Sequence, residues 1–160
     1  MQTFEITQKV LSFGPTYQVR AQTSEDVLMT IKGKLLSASP KLTMVEGGEG
    51  AEMASMTGNF VKTKFTMHDT QQREIGLLSF PLMSLKKSFS LKVGDHEYKA
   101  EGGFFGGTFK CTDPAGQTVL EISKQASLRD KFAVTVNDPI PAEVALMAAV
   151  AIDQRFFEDA

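Results

Sequence analysis

Phe132, Val134 and Val136 alternate with Ala133 and Thr135, and Phe89, Leu91 and Val93 alternate with Ser88, Ser90 and Lys92. Alternation with period two puts every second side chain on one face of an extended segment, so each run predicts a strand with one buried and one wet face. Val61, Thr63, Phe65 and Met67 set against Lys62, Lys64, Thr66 and His68 predict a third. Between such runs stand turn formers: Glu46-Gly47-Gly48-Glu49-Gly50, Gly94-Asp95, Asp113-Pro114-Ala115-Gly116 and Asn137-Asp138-Pro139. Their backbones favour tight reversals over continued strand or helix.

The strands recur in a unit of roughly two dozen residues: strand, Lys-x-x-Ser corner, second strand, turn. Three corners are clear, Lys9-Val10-Leu11-Ser12, Lys34-Leu35-Leu36-Ser37 and Lys124-Gln125-Ala126-Ser127, with second strands expected near Tyr17, Leu42 and Phe132. Weaker copies fill the middle, and the six units begin near Phe4, Val27, Ala51, Glu74, Tyr98 and Val119. Six units of two strands predict about twelve antiparallel strands. A sheet that wide curls, and closing it into a barrel removes edges that would otherwise pair with other chains.

The tail breaks the pattern. Pro141-Ala142-Glu143 reads as a helix start, with proline and an acid in the first turn. Positions 144–152 are then all apolar. A helix apolar on every side has to be enclosed, and this run is too short to cross a bilayer. Because a barrel well above eight strands leaves a lumen, the helix is expected to be its core, through Val144, Leu146, Met147, Val150, Ile152, Phe156 and Phe157. The fold class is therefore mainly β: a closed barrel around a central C-terminal helix, as one domain over residues 1–160.

Composition adds exclusions. A net charge of −2 gives no general attraction to phosphate backbones, so nucleic acid is not an expected partner. A single cysteine, Cys111, allows no internal disulfide and no multi-thiolate zinc site. The opening MQTFEITQKVLSFGP lacks the apolar stretch of a signal peptide. A soluble cytoplasmic protein without a transmembrane segment or cofactor is expected.

The order and period of the short motifs resemble the tubby C-terminal-like superfamily, in particular its LURP-one-related branch and the related phospholipid scramblases. Ile6-Thr7-Gln8-Lys9-Val10-Leu11-Ser12-Phe13 with Tyr17-Gln18-Val19 is similar to the LURP-one-related opening. Ile31-Lys32-Gly33-Lys34-Leu35-Leu36-Ser37 resembles that branch's second corner, and Ala151-Ile152-Asp153-Gln154-Arg155-Phe156-Phe157-Glu158 the scramblase ending. The resemblance implies the same twelve-stranded barrel with a central helix, in a family whose members mostly lack an established activity. It also implies a lipid site: tubby domains grip phosphoinositide head groups with a basic pair spaced as Lys62 and Lys64 are, and Lys32 and Lys34 repeat that spacing. Scramblases carry an acid-rich loop, proposed to bind calcium, before the last helix. The matching stretch here offers only Asp130, Asp138 and Glu143, too few oxygens for that ion.

Each remaining candidate has an ordinary structural reading beside the functional one. The lysine pairs also read as solvated side chains on a wet strand face. Cys111 shares the apolar face of its strand with Phe109, which makes it an inert core thiol rather than a nucleophile paired with His68 or His96. Gly102-Gly103-Phe104-Phe105-Gly106-Gly107 lacks the Lys-Ser or Lys-Thr of a phosphate loop and reads as strand bends or bulges. Asp153 reads as the helix leaving the barrel or accepting a hydrogen bond from barrel backbone. The expected role is a non-enzymatic binding or scaffolding module, associated with a phosphoinositide or another anionic ligand at a membrane surface. A scramblase-like lipid handler and an enzyme are the competing classes.

Overall fold

A computed structural model describes residues 1–11, 14–35, 37–82, 87–101, 107–124 and 130–156; of Val10, Leu11 and Glu101 only the backbone is described. Twelve strands precede one helix: β1 (Gln2–Leu11), β2 (Gly14–Ala21), β3 (Val27–Lys34), β4 (Lys41–Glu46), β5 (Glu52–Gly58), β6 (Lys64–Asp69), β7 (Glu74–Ser79), β8 (Ser88–Val93), β9 (His96–Glu101), β10 (Thr108–Thr112), β11 (Thr118–Ser123), β12 (Lys131–Val136) and α1 (Ala142–Phe156). The predicted units coincide with successive hairpins: their starts fall within two residues of β1, β3, β5, β7, β9 and β11. Every strand pairs antiparallel with its neighbours in one sheet, ordered β10-β11-β12-β1-β2-β3-β4-β5-β6-β7-β8-β9. The barrel is nearly closed. Its seam lies between β9 and β10, which run beside each other without a ladder among the described residues, while β12 zips onto β1 from Gln2 opposite Val136 to Thr7 opposite Lys131.

An up-and-down barrel has two ends. The corners within units (β1–β2, β3–β4 and so on) gather at one, here the corner end; the turns between units gather at the other, the turn end. Register shifts occur between Val19 and Arg20, Met44 and Val45, Met67 and His68, and Cys111 and Thr112, each beside a turn between hairpins. A bulge bends its strand and increases local twist. Repeated at one end, these irregularities help curl the sheet.

The inward face is apolar, with Ile6, Tyr17, Ile31, Met44, Met56 and Leu91 fully buried. The outward face carries Glu5, Lys32, Lys99, Lys110 and Glu121, the reverse of the lipid-facing arrangement of membrane-spanning barrels. Inside runs α1, from the turn end to the corner end. Val144, Leu146, Met147, Val150 and Ile152 are all 0% exposed, and Phe156 is partly buried; Phe157 lies outside the described residues. At 15 residues the helix is about 22 Å long. Among the described residues no helix is long and apolar enough to cross a membrane. Gly76 on β7 admits the first turn, since a Cβ there would sit 3.1 Å from a Val144 methyl.

Two local expectations change. Lys9 lies inside β1, not at a corner, because that strand continues to Leu11. The alternation assigned to residues 61–67 begins only at Lys64: Phe60 to Thr63 form a turn, Val61 is 58% exposed, and Lys62 has φ 57°. Asn59 competes with strand pairing here, its Oδ1 accepting from the backbone N–H groups of Thr63 (2.8 Å) and Lys64 (3.1 Å).

If α1 is the core, a charge at Val150 has no partner, and that costs several kcal/mol against a total stability of about 5–15 kcal/mol. Val150→Lys, and a chain ending before Pro141, are expected to show no cooperative thermal melt by circular dichroism. A melt near that of the parent protein in both variants contradicts the enclosed helix.

Candidate functional site

At the corner end the apolar helix turns polar. Asp153 and Gln154 are 2% and 0% exposed, and both are engaged by corners of the repeat. Gln154 Oε1 accepts from the Leu35 backbone N–H (2.8 Å), and its Nε2 donates to the Gly33 carbonyl (3.0 Å). The Asp153 carboxylate receives Lys124 Nζ at 2.5 Å, with the lysine side chain only 10% exposed. Asp153 thus meets a lysine side chain, and its neighbour Gln154 bonds the barrel backbone. Removing one partner of a buried ion pair costs about 3–5 kcal/mol. Asp153 is therefore a tie between helix and barrel. Gly33 permits the Gln154 contact: its φ is +127°, and a Cβ there would collide with the Lys41 carbonyl.

Outside the barrel at the same level, register assembles a cationic block. Lys32 and Lys34 project outward from β3; Lys34 is directly opposite Lys41 on β4, and Lys32 lies between Thr43 of β4 and Thr16 of β2. Thr16 is opposite Lys9 of β1 in turn. The result is a row Lys9–Thr16–Lys32–Thr43 with the pair Lys34–Lys41 beside it. Directly opposed side chains have Cβ atoms about 4.5–5.5 Å apart, where like charges repel. Lys32, Lys34 and Lys41 are all exposed, and among the described residues none makes an ion pair. Lys41 and the hydroxyls lie outside what single-strand spacing reveals, because they join the pair only through cross-strand register.

The other lysine pair sits elsewhere. Lys64 is exposed on β6, opposite Ser79, while Lys62 is in the preceding turn, so the two do not share a strand face. At about 4.8 Å per strand, β6 stands some 14 Å around the sheet from β3. The two pairs form separate features. The acids of the scramblase-like stretch are not brought together either: Asp130 precedes β12 at the corner end, and Asp138 and Glu143 follow it at the turn end. Among the described residues no cluster of three metal-ligating groups occurs.

An open cleft of about 650 Å³ lies over β1, β2 and β12, lined in part by Lys9, Arg20 and Lys131 against Glu5 and Glu25. Its charge is mixed, and Arg20 is already used, donating to the Glu25 carbonyl and to Gln18. Cys111 is 0% exposed, and burial pushes its thiol up to about 12. His68 points outward from β6 beside Asp69, whose carboxyl the Arg73 backbone N–H holds below its ordinary value; His96 is exposed in the β8–β9 hairpin. The glycine cluster at 102–107 lies outside the described residues except for Gly107.

A meander barrel closed by β12 on β1 and filled by the C-terminal helix defines the class of this protein. The model of the LURP-one-related family matches residues 2–153, and the chain belongs to that family. No curated protein matches it.

Cys111 gives a pH signature with a definite sign. The native thiol stays protonated to about pH 12, whereas an unfolded thiol ionises near 8.5. The stabilising contribution is thus complete below that value and is lost as pH rises towards 12. Unfolding free energy should fall more steeply with pH in this window for the parent than for Cys111→Ala. A thiol reagent such as DTNB should label native protein slowly and denatured protein fast. Fast native labelling, or identical pH slopes, contradicts the buried thiol.

Proposed function

We propose that this LURP-one-related barrel is a non-enzymatic binding module that takes a multiply charged anionic head group, of the phosphoinositide type, on the outer face of β3 and β4. The supporting observation is the opposed pair Lys34–Lys41 with Lys32 alongside. Like charges facing each other across strands are destabilising, and a phosphorylated ligand placed over the block converts that repulsion into attraction. Thr16 and Thr43 add hydroxyl donors at the spacing of adjacent strands. A rigid sheet holds these groups in place, so little ordering is needed on binding. The site suits peripheral attachment to a cytoplasmic membrane surface.

The inert character of Cys111 supports a binding role over cysteine-based catalysis. A scramblase-like lipid handler would need membrane attachment, and the apolar helix here is buried inside the barrel.

Removing the block should separate binding from stability. In Lys34→Ala with Lys41→Ala, relief of like-charge repulsion leaves the melting temperature unchanged or slightly raised, by the equivalent of about 0.2–1 kcal/mol. Affinity for a soluble inositol trisphosphate, measured by titration calorimetry at low salt, should fall by about tenfold or more, because each lost charge-assisted contact is worth about 1.5–3 kcal/mol. Binding should also weaken as salt rises. Equal affinity in the variant, or no binding by the parent at low salt, contradicts the proposal.

A further inference from the structure

The net charge of −2 conceals a strong polarity along the barrel axis. Exposed or half-exposed lysines crowd the corner end: Lys34, Lys41, Lys62, Lys64, Lys87 and Lys131. The acids described there are Asp130, Glu101 at the end of β9, and Asp153, which pairs with Lys124. The turn end is the opposite. Glu25, Asp26, Glu49, Asp69, Asp95 and Asp113 stand in or beside its turns, and Arg73 there is paired to Asp69 at 2.9 Å.

The basic end also carries the most exposed apolar loop tips among the described residues. Among the described residues five large hydrophobic side chains are exposed, and three of them are here: Phe60 (92%), Val61 (58%) and Leu82 (75%). They lie on neighbouring loops. Phe80, two residues before Leu82, donates its backbone N–H to the Thr63 carbonyl at 2.7 Å, and the Phe80 ring stacks edge-on against Phe65 at 5.7 Å. Asn59 holds the other loop, bonding Thr63 through both backbone and hydroxyl and so fixing the turn that presents Phe60 and Val61. Thus the tips stand on a braced base.

Exposed aromatic and aliphatic side chains ringed by lysines match a bilayer carrying anionic lipids, in which apolar tips enter the acyl boundary and lysines meet the head groups. We propose that the corner end docks on an anionic bilayer with Phe60, Val61 and Leu82 inserted, the charge polarity turning the acidic end towards solvent. This deepens the preceding proposal and rests on it for the class of partner. An acidic protein surface would satisfy the lysines but would not draw the tips into hydrocarbon.

The chain contains no tryptophan, so one can be placed as a unique reporter. Phe60→Trp mixed with phosphatidylserine vesicles should shift its emission to the blue and be quenched by brominated acyl chains, whereas Gln71→Trp, in a turn at the acidic end, should do neither. Phe60→Ser with Leu82→Ser removes two exposed side chains; its melt should be unchanged while its vesicle flotation falls by about tenfold or more. Flotation without a Phe60→Trp response, a response from Gln71→Trp, or no flotation at low salt would each overturn the insertion. Phosphatidylserine carries no inositol phosphate. The head-group site is therefore judged separately by the soluble inositol trisphosphate titration, and failure of one does not decide the other.

Discussion

Twelve strands enclose more space than their own side chains can fill, and the structure depends on that constraint. The space must be occupied by something apolar on all sides, which is what positions 144–152 supply. The same requirement explains why the first strand pairs with the last. Once β12 has zipped onto β1, the chain leaves β12 at the turn end and runs straight back through the interior as α1. The seam consequently falls between β9 and β10, away from the chain ends.

A helix that fills a barrel also has to stop at its mouth. Here the stop is made by two consecutive polar residues, each taken by a corner of a different repeat unit: Gln154 by Gly33 and Leu35, Asp153 by Lys124. The helix's last turn then meets aromatic rings, Phe156 lying 5.5 Å from Phe80 and 5.6 Å from Phe109, with the Arg155 guanidinium 5.4 Å over Phe80. The repeat thus uses the same motif position in different ways. The corner lysine turns inward at Lys124 to hold the helix and outward at Lys34 to face Lys41, while Lys9 lies within a strand.

The architecture was legible because its signals are periodic. Alternation marked the strands, the recurring unit gave their number, and an all-apolar helical run too short to cross a bilayer has few fates but enclosure. The candidate site was only half legible. Lys32 and Lys34 share a face of one strand, which spacing reveals. Lys41 joins them across a corner, which requires register, and register depends on where β4 resumes after that corner. Lys62 misled for a related reason: the run Val61 to Met67 alternates in sequence, but Asn59 captures the backbone N–H groups of Thr63 and Lys64 and keeps the first residues in a turn. Asp153 and Lys124 were each conspicuous, yet nothing local joins residues separated by 29 positions. The axial charge polarity escaped for the same reason, since it emerges only when alternate loops are sorted to opposite ends.

The central claim is that α1 and the barrel form one cooperative unit, neither being stable without the other. Native-state hydrogen exchange tests it directly, because it reports the free energy at which each segment opens. The account predicts that the amides of Leu146 to Val150 exchange only through global unfolding, with the same free energy and denaturant dependence as those of Ile31 on β3 and Val134 on β12. Exchange of the helix amides at a much lower free energy, with the strands still protected, would show a helix that leaves an intact barrel and would contradict it.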